Sequence, residues 1–271
     1  MKKRSNYIKS AVLLISIALH CGLCGCYMPI GKKDDTTVNE PTSAVTPTAD
    51  RSVLTERQKA ILAENGLPTD IDKLEPNQKR GIMNIENAFL YLDEKYKGVE
   101  FEYLSHASAG IMGQEKTDFV PKGYDKEDSR NIVTVEKDRD GNYSDKYILV
   151  AVREAMEKVV TDYVEAYFGE GNVKVYVYPC SADMEYDDVI NENTVKDKVE
   201  STAVLFVPDE ECTEAKLDAF SDTYLNDGHD FVCNFRATII RKEDFERLTY
   251  KNHSDMYDRD HMIYDIDINM K

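Results

Sequence analysis

The sequence predicts an α+β fold in which N-terminal helices pack on a mostly antiparallel sheet, and three observations carry that expectation. Apolar residues recur at three- and four-residue spacing between Thr55 and Tyr96, the period of one helix face. From Glu100 onward the apolar residues alternate or gather in short β-branched runs, the pattern of strands. Helical patterns come first and strands concentrate later, with no internal repeat at a fixed period.

Two segments precede this fold. Lys2, Lys3, Arg4 and Lys9 stand ahead of residues 11–19, which are apolar but for Ser16. A basic start followed by a short apolar run describes a secretory signal peptide over residues 1–25. The run is too short to cross a bilayer, which takes roughly 20 apolar residues. Leu23-Cys24-Gly25-Cys26 resembles the lipobox of bacterial lipoproteins. That resemblance implies diacylation of Cys26, which becomes the new N-terminus and holds the chain at the outer face of the cytoplasmic membrane. Two acyl chains suffice for stable anchoring. Residues 26–52 then read as the lipidated cysteine and a flexible tether. Pro29, Pro41 and Pro47 stand among Thr and Ser with no apolar period, so the segment cannot bury enough surface to fold alone.

The domain expected over residues 53–271 begins with a helix. Thr55-Glu56-Arg57-Gln58 fits a capping box, Gly66 supplies the stop and Pro68 prevents continuation. A second helix is expected over 77–96, where Ile82, Ile85, Phe89, Leu92 and Tyr96 form one stripe. Strands are expected over 100–104 and 131–136. Asp140-Gly141-Asn142 is a turn signal leading into a strand at Tyr147-Ile148-Leu149-Val150. A third helix carries Val152, Met156, Val159, Val160, Tyr163 and Tyr167 on one side and ends at Gly169. Strands follow over 173–177 and 202–207, a helix over 211–225, a long strand over 231–240 and a helix over 243–249. Met262, Tyr264, Ile266, Ile268 and Met270 alternate with Ile263, Asp265, Asp267 and Asn269, a half-buried closing strand. A domain of this length buries a full core without metals or disulfides.

The stretch Leu54-Thr55-Glu56-Arg57-Gln58-Lys59-Ala60-Ile61-Leu62, then Gly66-Leu67-Pro68-Thr69 and the helix over 78–96, resembles an N-terminal module of uncharacterised lipoproteins of anaerobic Gram-positive bacteria. The resemblance implies lipidation and transfers no catalytic residue.

Charge narrows the partners. Residues 1–25 carry four basic and no acidic residues, so of 34 Lys and Arg 30 remain against 51 Asp and Glu, a net of −21 against −17 for the whole chain. Such a surface excludes a nucleic-acid partner, which requires a basic footprint, and electrostatic docking on anionic lipid headgroups. It suits solubility at a cell surface, or attraction of divalent metals, basic peptides and other cationic partners. Trp is absent while Tyr numbers 17, unlike many carbohydrate-binding surfaces. Of the cysteines beyond Cys26, Cys180, Cys212 and Cys233 allow one bridge or three free thiols.

Few motifs carry chemistry. Residues 136–147 come close to a calcium loop, with Gly141 at the sharp turn and Asp138, Asp140, Asn142 and Ser144 at ligand offsets. Tyr147 replaces the bidentate carboxylate at the twelfth position, however, which favours a solvated hairpin turn. Asp265 and Asp267 share one strand face about 7 Å apart. They could hold a hard cation or act as an acid and base pair, or form the wet face of an edge strand. Asp183, Glu185, Asp187 and Asp188 read as a solvated loop. Cys180, with His106, His229, His253 and His261, leaves a thiol nucleophile open only if the fold brings the pieces together. No nucleophile elbow, zinc-protease helix or phosphate loop occurs, and no cofactor is implied. The expectation is therefore a membrane-anchored extracytoplasmic lipoprotein with a non-catalytic binding or scaffolding domain for a protein, peptide or glycan. The alternative is an extracytoplasmic hydrolase that uses paired carboxylates.

Overall fold

The computed structural model describes residues 53–108 and 114–270; the expected signal peptide, Cys26 and the tether lie outside them. Helix α1 (Glu56–Glu64) starts where the capping box places it. Thr55 Oγ1 accepts from the Gln58 N–H at 3.2 Å, and the Gln58 side chain accepts from the Thr55 N–H at 2.8 Å. At the other end Gly66 takes a φ of +67°, and the Leu67 N–H turns back to the Leu62 carbonyl at 2.8 Å. Only a residue without a Cβ adopts that conformation freely. Helix α2 (Pro76–Lys95) has proline at its first turn and buries Ile82, Ile85, Phe89 and Leu92, the expected stripe. Buried Gln58 donates to the Ile82 carbonyl at 3.2 Å and joins the two helices.

These helices cover a first sheet, a meander of β1 (Phe101–Ala107), β2 (Glu115–Pro121), β3 (Val133–Lys137) and β4 (Tyr143–Ser144), antiparallel throughout. Phe89 and Phe119 meet edge-to-face at 4.7 Å between ring centroids, a favoured aromatic geometry. Strand β2 is absent from the sequence expectation. Thr117 and Phe119 face inward while Lys116 and Asp118 alternate with them, so one face is polar and the apolar signal is thin. The Asp140-Gly141-Asn142 turn forms, but Tyr147-Ile148-Leu149-Val150 is helical, the start of α3 (Tyr147–Phe168). An apolar run of four does not by itself separate strand from buried helix. Asp145 decides it locally by accepting from the Tyr147 N–H at 2.8 Å, which satisfies an otherwise orphan donor of the first turn.

A second sheet follows in the order β5 (Lys174–Ala182), β6 (Val199–Pro208), β7 (Val232–Ile240) and β8 (Met262–Ile268). The fold is α+β as expected, yet with two four-stranded sheets where one was expected. Strands β6 and β7 run parallel, and the other pairs are antiparallel. A parallel pair needs a crossover, supplied by α5 (Glu214–Asn226), which buries Leu217, Phe220 and Tyr224. Short helix α4 (Glu192–Val195) lies between β5 and β6. Helix α6 (Lys242–Arg247) and the 3-10 turn His253–Tyr257 contribute Phe245, Leu248 and Met256 to a smaller cluster with Tyr176, Phe206 and Ile240.

Helix α3 serves both main cores. Tyr147 and Val150 pack with α1, α2 and the first sheet, whereas Val152 through Phe168 pack with α5 and the second. The same helix carries Arg153 and Glu157 of a charged set completed by Asp128 and Arg130, in which Asp128 and Arg153 are buried and Arg130 and Glu157 half-buried. Arg130 pairs with Asp128 at 2.8 Å and with Glu157 at 3.4 Å, and Arg153 approaches Asp128 at 3.7 Å. Among the described residues, no helix is long and apolar enough to cross a membrane.

Candidate binding cleft

A cleft of about 590 Å³ opens where the middle of α3, helix α4 and the turn from α5 into β7 meet. Each wall follows from local sequence. Val159, Val160 and Val164 turn one side of α3 into the core, which sets Asp162 and Tyr163 at its border. Helix α4 is held by Asn191, whose side-chain oxygen accepts from the Asn193 and Thr194 N–H groups at 2.9 and 3.2 Å. That cap presents Glu192, Asn193 and Lys196 to the opening. The α5–β7 turn, Asp227-Gly228-His229-Asp230, supplies the third wall, with buried Phe231 behind it.

Tyr163 is the hinge of the chemistry. Its ring lies 5.4 Å from Phe231 and 5.9 Å from His229, both edge-to-face, and its hydroxyl donates to Asp227 at 3.3 Å. Burial, then the Asp227 charge, push the phenol up to about 12, so it stays a donor at neutral pH. His229 stacks on Tyr224 at 4.1 Å, with Nδ1 2.8 Å from the Phe231 carbonyl and Nε2 3.0 Å from the Tyr224 carbonyl. Both ring nitrogens therefore lie against backbone carbonyl oxygens, to only one of which a neutral imidazole can donate. Asp230 pairs with Lys196 at 3.0 Å, and that contact draws its carboxyl below the usual range. Asp162 and Glu192 share Lys158 at 2.7 and 3.8 Å. Four carboxylates and Lys196 thus line an opening bordered by the Tyr163 ring, with Lys158 paired to two of the acids from outside the lining.

Sequence-derived candidates fall elsewhere. Asp265 and Asp267 lie on β8 at the edge of the second sheet, opposite Thr238 and Arg236. Asp265 pairs with Arg236 at 3.1 Å, and the guanidinium stacks on Tyr257 at 3.8 Å. The calcium-like loop is a hairpin turn in which Asp138 accepts from the Asp140 and Asn142 N–H groups at 2.9 and 2.8 Å. In the acidic run, Asp188 accepts from the Glu185 N–H at 3.0 Å, and Tyr186 packs on Tyr96 at 5.0 Å. Cys180, Cys212 and Cys233 are free thiols, the last two buried; burial pushes Cys233 up to about 12.

The histidines are dispersed. His106 meets Thr117 at 3.0 Å, His253 meets Tyr178 at 2.9 Å and His261 meets Asp244 at 3.0 Å. Among the described residues no three of His, Cys, Asp and Glu gather to hold a metal ion. Among the described residues two carboxyls are raised by burial, Glu115 and Glu157, and neither lines the cleft.

Sequence reasoning did not assemble this site. Tyr163 reads as a core residue of the α3 stripe, and Asp162 and Glu192 do not stand out in the sequence. The available signal was Asp227-Gly228-His229-Asp230, a polar turn between an apolar helix and an apolar strand, which marks a loop on a rigid scaffold.

No family model and no curated protein matches the chain. A solved structure of a DUF5037 family protein from Ruminococcus gnavus is similar over 59% of this chain and 76% of that one, at 14% identity and a TM-score of 0.33. A likeness at that level carries no functional argument.

Proposed function

We propose that the chain is a lipoprotein held at the outer face of the cytoplasmic membrane by acyl chains on Cys26. In this reading residues 26–52 hold the domain over 53–271 away from the bilayer, and the domain binds a ligand without turning it over. The observation that carries the binding reading is the cleft itself, a concave opening with an aromatic wall and converging polar groups, the usual form of a ligand site. Its chemistry favours recognition over turnover. His229 has both nitrogens against backbone carbonyls, and the Tyr163 phenol holds its proton. No cysteine lines the opening.

The anchor and the cleft are tested separately. Cys26→Ser should release the chain from membranes or leave it unprocessed; unchanged membrane retention would refute lipidation. The detergent-solubilised full chain should capture one saturable partner from envelope fractions, and Asp227→Asn with Tyr163→Leu should lose it. Hydrolysis of a glycan or peptide, abolished by those same substitutions, would replace binding with catalysis.

A further inference from the structure

We propose that this cleft takes an organic cation, an alkylammonium or guanidinium group; the proposal rests on the binding reading and narrows it to a ligand class. Features of different kinds converge on it. The volume, about 590 Å³, falls in the range of small-ligand sites. Tyr163 and Phe231 form an aromatic wall, and aromatic faces attract cations through their quadrupole. Asp162, Glu192, Asp227 and Asp230 outnumber the lysines paired to them, Lys158 and Lys196, so acids are in excess at the opening. Asp227 has a hydroxyl from Tyr163 as its partner, which leaves its charge unneutralised and places it beside the aromatic wall.

The way the charge is spread separates an organic cation from a metal ion. A hard cation needs six to eight oxygens within about 2.6 Å, whereas the described residues gather no three potential metal ligands anywhere. Carboxylates that share a lining with the half-buried Tyr163 ring and the edges of Val159 and Phe231 suit a charge mounted on an apolar stem: the head meets the acids and the methylenes meet the ring. The chain's net charge of −17 adds long-range attraction for such a ligand. A free polyamine and the lysine or arginine side chains of a basic peptide present the same chemistry.

The test is calorimetric titration of the detergent-solubilised full chain at fixed ionic strength with spermidine, a tetralysine peptide and calcium chloride. At least one organic cation should saturate a single site. Asp227→Asn and Tyr163→Leu should each weaken it about fivefold, while Tyr163→Phe, which keeps the ring, retains most of the affinity. Asp255→Asn, outside the cleft, should leave it unchanged, and all variants should melt as the parent does. Preference for spermidine or tetralysine identifies the source. No saturable binding, equal binding in the Asp227 and Tyr163 variants, or equal competition by calcium would overturn the proposal. If the organic cations fail while the native partner is still lost on the same substitutions, the ligand class falls and the binding reading stands.

Discussion

Asp128 and Arg153 belong to one buried charged cluster, and the structure predicts opposite consequences for removing them. Asp128 is 4% exposed and Arg153 is 6% exposed. Asp128 accepts from Arg130 Nε at 3.0 Å, from Arg130 Nη2 at 2.8 Å and from the Arg130 N–H at 2.9 Å, with Arg153 at 3.7 Å. Asp128→Ala therefore leaves the buried Arg153 guanidinium without its carboxylate and half-buried Arg130 with Glu157 alone at 3.4 Å, a loss expected to cost about 3–5 kcal/mol. Arg153 is differently placed: its Nε and Nη1 are buried without a hydrogen-bond partner. Arg153→Met removes those unsatisfied donors and keeps most of the volume, so stability should stay within about 1 kcal/mol of the parent or rise.

Urea unfolding at pH 7 with a shared m-value reads both changes. A cost for Asp128→Ala below about 1 kcal/mol, or a cost for Arg153→Met as large as that for Asp128→Ala, would refute the assignment of Asp128 as the hub. The pH dependence follows the same logic. Burial works to raise the Asp128 carboxyl, but hydrogen bonds and charge from Arg130, with charge from Arg153, outweigh it and hold it below the usual range. Its contribution is therefore full above the unfolded pKa of about 3.9 and fades as pH falls through the lower folded value. Glu157 has the opposite sign, because burial raises it; it favours folding at low pH, and that advantage disappears as pH rises through its folded pKa.

Two further outcomes are expected. Asp145, whose side chain is fully buried, accepts from Tyr91 and Tyr96 hydroxyls at 2.7 and 2.6 Å, from Lys95 at 2.7 Å and from the Tyr147 N–H. Asp145→Ala should destabilise by about 3 kcal/mol in urea unfolding, and a loss under about 1 kcal/mol would show that α3 needs no such anchor. At β8 the Arg236 guanidinium already faces Asp265, so millimolar calcium should leave the melting temperature unchanged. A rise abolished by Asp265→Asn with Asp267→Asn would restore a cation site there.

Much of the fold is legible in the sequence because its signals are local. The Thr55–Gln58 box, the Gly66 stop and the α2 stripe need only neighbours three or four residues away. The closing strand likewise shows its period of two. What escapes has non-local causes. Strand β2 earns its place by pairing with both β1 and β3, not by its own hydrophobicity. The helical start of α3 depends on Asp145 being buried under Tyr91 and Tyr96, some fifty residues earlier. The division into two sheets follows from α3 sharing its length between two cores, and no linker composition marks it. The cleft is harder still, since it draws one wall from each of three elements between residues 159 and 231. Acidic residues crowd the whole chain, so the few that converge carry no distinguishing mark before folding brings them to Tyr163.

The most direct test of a cleft-borne binding function uses the anchored chain in its own cells, with a photo-crosslinking residue placed at Asn193 on the cleft rim. The same residue at Glu246 on α6 serves as control. One saturable adduct at position 193, absent at 246 and lost when Asp227→Asn and Tyr163→Leu are added, is the predicted result. An adduct at 246 with none at 193, or one at 193 indifferent to those substitutions, would contradict it.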